Sequence, residues 1–163
     1  DLWKMNYLVI GYGNTLRGDD GAGQKIAESV ANWELPEVRS LPVHQLTPEL
    51  AEEIANASTV IFVDAVAMSG EISGEVRVQC LEARDTEVSL GHHRDPRSLL
   101  ALTQAIYGRL PSAYWILIPA VNFEFGEQLS PTTEKAMGKA LEKIKGLIDN
   151  PRLKNKWIFT QSQ

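Results

Sequence analysis

One cysteine, Cys80, stands in the whole chain, so no internal disulfide can brace the fold and no Cys pair is there to carry chemistry. A lone thiol closing an alternating apolar run reads as a small core residue more readily than as a nucleophile. Long apolar runs are missing as well: no stretch reaches the roughly 18 residues needed to span a bilayer. The N-terminus also lacks a basic region followed by an apolar signal core. No contact with a membrane is expected, and the cytoplasm is the expected location. Positive charge is scarce too. The formal net charge is −5, and no basic stripe interleaved with aromatics appears, which argues against nucleic acid as a partner. The GxSxG elbow and HExxH are absent, so hydrolysis would need a metal or an unusual acid/base arrangement.

What is present suits one well-buried core: 163 residues, 44% of them hydrophobic. A single domain over 1–163 is expected, with 1–6 set aside as a lead or tag remnant and 151–163 as a tail. No repeat, low-complexity tract or linker divides it. Tyr7 to Ile10 is a short apolar strand stopped by Gly11. Ala22, Ile26, Ala27 and Val30 recur at helical spacing between Gly21 and Trp33, with Asp19 or Asp20 placed to cap the first turn. Val38 to Val43 is a strand interrupted by Pro42, which places it at an edge or bulge. Pro48 to Ala55 is a short helix with Thr47 as its N-cap. Thr59 to Val63 is the clearest buried strand, uncharged until it meets Asp64.

Further on, Glu75 to Cys80 alternates as a half-exposed strand, antiparallel at the sheet edge. Asp95-Pro96 opens a helix through Tyr107, Tyr114 to Ile118 is another buried strand, and Ser130-Pro131 opens a last helix to about Ile148. Strands alternating with helices in this way predict an α/β fold: three layers, with a mainly parallel central sheet of about five strands flanked by helices.

In open sheets of this kind ligands gather where loops leave the carboxyl ends of the strands. The loop after the first strand, Gly11 to Gly23, looks at first like a dinucleotide fingerprint, but Leu16 stands where the third glycine belongs. Asp19 and Asp20 occupy the helix start where a phosphate would sit and would repel it. They suit a metal cation, or simply complement the helix dipole. Asp64 ends the third strand on the same rim, as a functional acid or a turn former. His92 and His93 lie in the loop before Asp95-Pro96. Two carboxylates and one imidazole form an O,O,N set for a divalent metal, although a loop histidine is also an ordinary surface residue. His44 is a weaker candidate.

Together these segments resemble the [NiFe]-hydrogenase maturation protease family from Tyr7 to about Ile148. GYGNTLRGDDGAG is similar to the family's G-x-G-N-x-L-x-x-D-[DE]-x-x-G, and VIFVDAV to its strand-plus-aspartate segment. His92, Pro96 and Leu99-Leu100 resemble its His-x3-Pro-x2-Leu-Leu pattern, and Leu129-Ser130-Pro131 its lead into the last helix. The chain departs from many relatives after the second strand, where His44-Gln45-Leu46-Thr47 replaces an Asp-Gly-Gly-Thr-like segment.

The resemblance implies an endopeptidase, of aspartyl type, that removes the C-terminal extension of a hydrogenase large-subunit precursor once nickel is in place. It implies a site of Asp20, Asp64 and His92, serving as both catalytic and metal-binding residues, with nickel brought by the precursor. The free enzyme is expected to be a monomer. A nickel chaperone without proteolysis, or a nucleotide- or cofactor-binding module on the same scaffold, are the readings of other classes.

Overall fold

A computed structural model describes residues 6–68, 74–82 and 94–149. The first strand, β1 (Tyr7–Tyr12), leads through a tight 3-10 turn (Gly18–Gly21) into helix α1 (Ala22–Ala31). Then follow β2 (Val38–Val43), α2 (Leu50–Ala55), β3 (Thr59–Ala67), β4 (Arg77–Leu81), α3 (Pro96–Tyr107), β5 (Ser112–Ala120) and α4 (Pro131–Asp149). The five strands form one sheet in the order β2-β1-β3-β5-β4. All pairings are parallel except β4 against β5. The expected α/β architecture and the antiparallel edge strand are therefore both present.

Alternation along the strands sorts the side chains into two cores. Val9, Ile61, Val63 and Ile116 face Ile26 and Val30 of α1 and Ala140 and Ile144 of α4. Leu8, Ile10, Val60 and Phe62 face Leu50 and Ile54 of α2 and Leu99 and Leu100 of α3. Successive strand residues point to opposite faces, so apolar runs such as TVIFV fill both cores at once. Tyr12 and Asp64 continue the Ile10 and Phe62 rows, which directs them to the α2/α3 side of the rim.

Several boundaries differ from the sequence reading. β1 runs past Gly11 to Tyr12, and β3 continues through Asp64 to Ala67, because pairing with a neighbour extends a strand beyond its apolar stretch. α2 begins at Leu50, and Thr47 does not cap it with its side chain; the Thr47 and Pro48 carbonyls instead accept from Leu50 N–H and Ala51 N–H in a turn. Cys80 is exposed on β4 rather than in the core. Its thiol is pushed above the usual range by partial desolvation and by Glu82, which keeps it protonated.

β2 is an edge strand, which accommodates Pro42. Gly11 is required by close approach: a Cβ there would lie 1.9 Å from the Gly23 carbonyl oxygen. That contact seats α1 hard against β1.

Candidate functional site

The 3-10 turn separates the two neighbouring acids. Successive residues of a three-per-turn helix point about 120° apart, and Asp19 and Asp20 go to different places. Neither caps α1, whose N-cap, Gly21, receives no side-chain hydrogen bond. Asp19 is fully buried and accepts from the N–H groups of Val121 (2.9 Å), Asn122 (2.9 Å) and Ser130 (2.7 Å), and from the Ser130 hydroxyl (2.8 Å). Burial raises its pKa, but these hydrogen bonds outweigh burial and leave the carboxyl below its ordinary value. Asp19 thus ties the first loop to the start of α4, where the Ser130 hydroxyl in turn accepts from Thr133 N–H at 3.2 Å.

Asp20 turns towards the rim. Its Oδ2 accepts from Asn14 N–H at 2.8 Å, and Gly13 makes room for it: φ is 139° at Gly13, and a Cβ there would sit 2.1 Å from the Asp20 carbonyl oxygen. Asp64 lies on the same rim, 2% exposed.

Between the two stands Arg94, which the sequence reading did not single out. Its Nη2 donates to Asp64 Oδ1 at 2.8 Å and to Asp20 Oδ1, and its Nε donates to Asp64 Oδ2 at 3.3 Å. One guanidinium therefore spans both carboxylates. Burial raises the Asp64 pKa from 3.8 to about 6, with the nearby Asp20 charge adding to it and Arg94 opposing it. The two carboxylates reciprocally hold the Arg94 guanidinium firmly protonated, against the opposing effect of its own desolvation.

Arg94 is held from behind. Tyr12, at the tip of β1, donates its phenol proton to the Arg94 carbonyl at 2.6 Å. Asp95 follows as the N-cap of α3, accepting from Arg97 N–H at 2.9 Å, with Pro96 in the first turn. The side chain itself remains 53% exposed, so its outer side reaches solvent while its inner side bonds buried oxygens.

Sequence reasoning placed Asp20 and Asp64 on a common rim, and the structure brings them together. His92 and His93 lie outside the described residues. His44 is exposed and lines a small hollow with Tyr12, Gly13, Asn14, Asp20 and Arg94. Among the described residues no three His, Cys, Asp or Glu side chains are grouped closely enough to hold a metal ion. The signal that could have found Arg94 is charge balance: two acids expected on one apolar rim need a counter-charge. An arginine directly before a helix start on that rim is the available one.

No protein-family model matches the sequence, and no curated protein does. Solved structures do match. The [NiFe] hydrogenase maturation protease HybD from Thermococcus kodakarensis superposes with a TM-score of 0.72 at 24% identity, over 88% of this chain and 99% of that one. The hydrogenase maturating endopeptidase HybD from E. coli gives 0.71 at 23% identity, over 89% and 93%. The maturation protease HycI from Thermococcus kodakarensis KOD1 gives 0.67 at 24%, over 91% and 95%. With nearly the full length of each neighbour matched, the chain has the fold of the [NiFe]-hydrogenase maturation proteases.

Proposed function

We propose that this chain is an endopeptidase that removes the C-terminal extension of a [NiFe]-hydrogenase large-subunit precursor after nickel insertion. The observation that carries the reading is the Asp20–Arg94–Asp64 cluster: one carboxylate from the 3-10 turn after β1 and one from β3, already arranged around a positive group. An arrangement that holds a guanidinium has the charge and the oxygen donors to engage a divalent ion. In the free protein Arg94 supplies that positive charge; in this reading its half-exposed side chain gives up its hydrogen bonds to Asp20 and Asp64 and turns outward when the precursor presents nickel to them, with His92 as the nitrogen donor. Held by these residues, nickel would supply the charge by which a completed precursor is recognised and Lewis-acid chemistry for carbonyl polarisation.

Asp64 is the proposed second oxygen donor: burial lifts its pKa to about 6 in the free protein, so the carboxylate that nickel requires is available near neutral pH. Asp20, held by Asn14 N–H, orients the cation. The Asp20 carboxylate also disfavours a phosphate at the first loop, which weighs against a nucleotide module. The free enzyme, a cytoplasmic monomer in this reading, is an incomplete site that its client completes.

The deciding experiment incubates the protein with a large-subunit precursor, with and without nickel, and reads the client's C-terminus by mass spectrometry. A nickel-dependent mass loss is expected, abolished by Asp20→Ala, Asp64→Ala and His92→Ala and largely kept by His93→Ala. A precursor of unchanged mass that nevertheless acquires or surrenders nickel would establish a chaperone instead.

A further inference from the structure

Arg94 lines two concavities at once. One is the small hollow of about 150 Å³ that holds Asp20, Asn14 and His44. The other is a cleft of about 440 Å³ lined by Asp64, Val66, Trp115 and Phe123. Among the described residues Arg94 alone belongs to both. Its guanidinium bonds to one carboxylate of each, Asp20 in the hollow and Asp64 in the cleft, and so forms a partition held by the two acids it separates. The backbone behind it is fixed, because Tyr12 donates to the Arg94 carbonyl and Asp95 caps α3. Opening the partition therefore requires movement of one half-exposed side chain.

What that movement costs depends on what replaces the guanidinium. Asp20 and Asp64 are 6% and 2% exposed, so water reaches them poorly. Taking away their shared cation leaves two desolvated negative charges side by side, and a buried charge stripped of its partner is strongly unfavourable. An incoming neutral peptide can offer N–H groups but no charge, so the loss stands. A divalent cation brings more positive charge than the guanidinium takes away. The exchange is favourable only for a client that carries the ion.

We infer that Arg94 is the residue by which this site refuses a precursor without nickel: its guanidinium closes the passage between the hollow and the cleft, and only an incoming cation displaces it from Asp20 and Asp64. Once it turns outward, the two concavities join into one trough across both carboxylates, and the nickel-bearing segment of the client lies there. Arg94 thus sets a threshold of engagement that a cation-bearing client crosses and a neutral one does not. The inference rests on the peptidase reading above and deepens it by naming the residue that determines specificity for the loaded client.

The test measures, by calorimetry, the affinity of wild type, Arg94→Gln and Arg94→Lys for large-subunit precursor with and without nickel. Arg94→Gln should bind the nickel-free precursor roughly tenfold more tightly than wild type does, a modest factor because the guanidinium is half exposed. The loaded precursor should gain as well, since it no longer has a guanidinium to displace. Arg94→Lys keeps a cation between the acids and should refuse the nickel-free form as wild type does. Equal affinity of wild type and Arg94→Gln for the nickel-free precursor would overturn the gate, and so would a lysine variant that behaves like the glutamine one. Should Arg94→Gln fail to fold, the pair Arg94→Gln with Asp64→Asn removes the unbalanced charge, and its affinity for nickel-free precursor is read by the same criterion. Binding and cutting separate the two readings. A wild type that binds loaded precursor and never shortens it removes the peptidase and leaves the gate to the affinities, whereas shortening with equal affinities removes the gate and keeps the peptidase.

Discussion

The hydroxyl of Tyr12 donates to the main-chain carbonyl of Arg94 at 2.6 Å, joining the tip of β1 to the residue whose guanidinium spans Asp20 and Asp64. The phenol is buried and pushed well above its usual pKa by that burial and by the Asp64 charge, so it stays a neutral donor. Tyr12→Phe removes the anchor and leaves the ring. The expected result is a stability loss of about 1 kcal/mol, as for one ordinary hydrogen bond, read as a melting point a few degrees lower. Precursor cleavage should slow several-fold. Unchanged cleavage would show that Arg94 is positioned by α3 alone.

Arg94→Gln tests the placeholder role. With the guanidinium gone, the two carboxylates lose their internal cation, and the free protein should take up Ni²⁺ or Zn²⁺ roughly tenfold more tightly in calorimetry, the scale of about 1.4 kcal/mol. Wild-type protein should purify with little metal. Equal affinities in the two proteins would mean that Arg94 does not compete for the cation position.

Asp64 links pH to stability with an unusual sign. In the folded chain it holds its proton up to about pH 6, against 3.8 for the ordinary carboxyl. The unfolded chain binds fewer protons across that window, so the stability this group contributes is complete below pH 3.8 and is lost as pH rises through 6. Asp64→Asn should therefore melt higher than wild type near neutral pH, by an amount on the order of 1–3 kcal/mol, while cleavage is abolished. The difference should close on acidification. A melting point lowered at every pH would refute a destabilising buried charge.

Asp19 and Asp20, adjacent in sequence, should respond oppositely to the same change. Asp19→Asn disrupts an acceptor group that serves four donors and should destabilise the fold by on the order of 2–4 kcal/mol, with cleavage retained at low temperature. Asp20→Asn should leave the melting point nearly unmoved and stop cleavage. Because the folded Asp19 carboxyl sits below its ordinary value, its contribution is present above 3.8 and is lost as pH falls through the folded value. Acid unfolding of the wild type should be steeper than that of Asp19→Asn.

Much of this architecture is legible in the sequence because its signals are local. TVIFV announces a strand buried on both faces, Asp95-Pro96 and Ser130-Pro131 announce helix starts, and Pro42 announces an edge. Two acids could likewise be placed on one rim, since strand order and crossover direction determine where strand ends gather. The division of labour between Asp19 and Asp20 was not legible, because one turn of 3-10 geometry decides it and nothing in GDDG separates a 3-10 turn from an ordinary helix start. The reach of β3 past Asp64 depends on what β5 offers at Leu117–Ala120, a partner far along the chain. Arg94 depends on tertiary charge balance, which no residue pattern near position 94 displays.

Along the chain Arg94 lies 30 residues from Asp64 and 74 from Asp20. A cluster assembled from pieces so far apart exists only after the last of them has docked, so a half-finished chain holds its two carboxylates without their guanidinium.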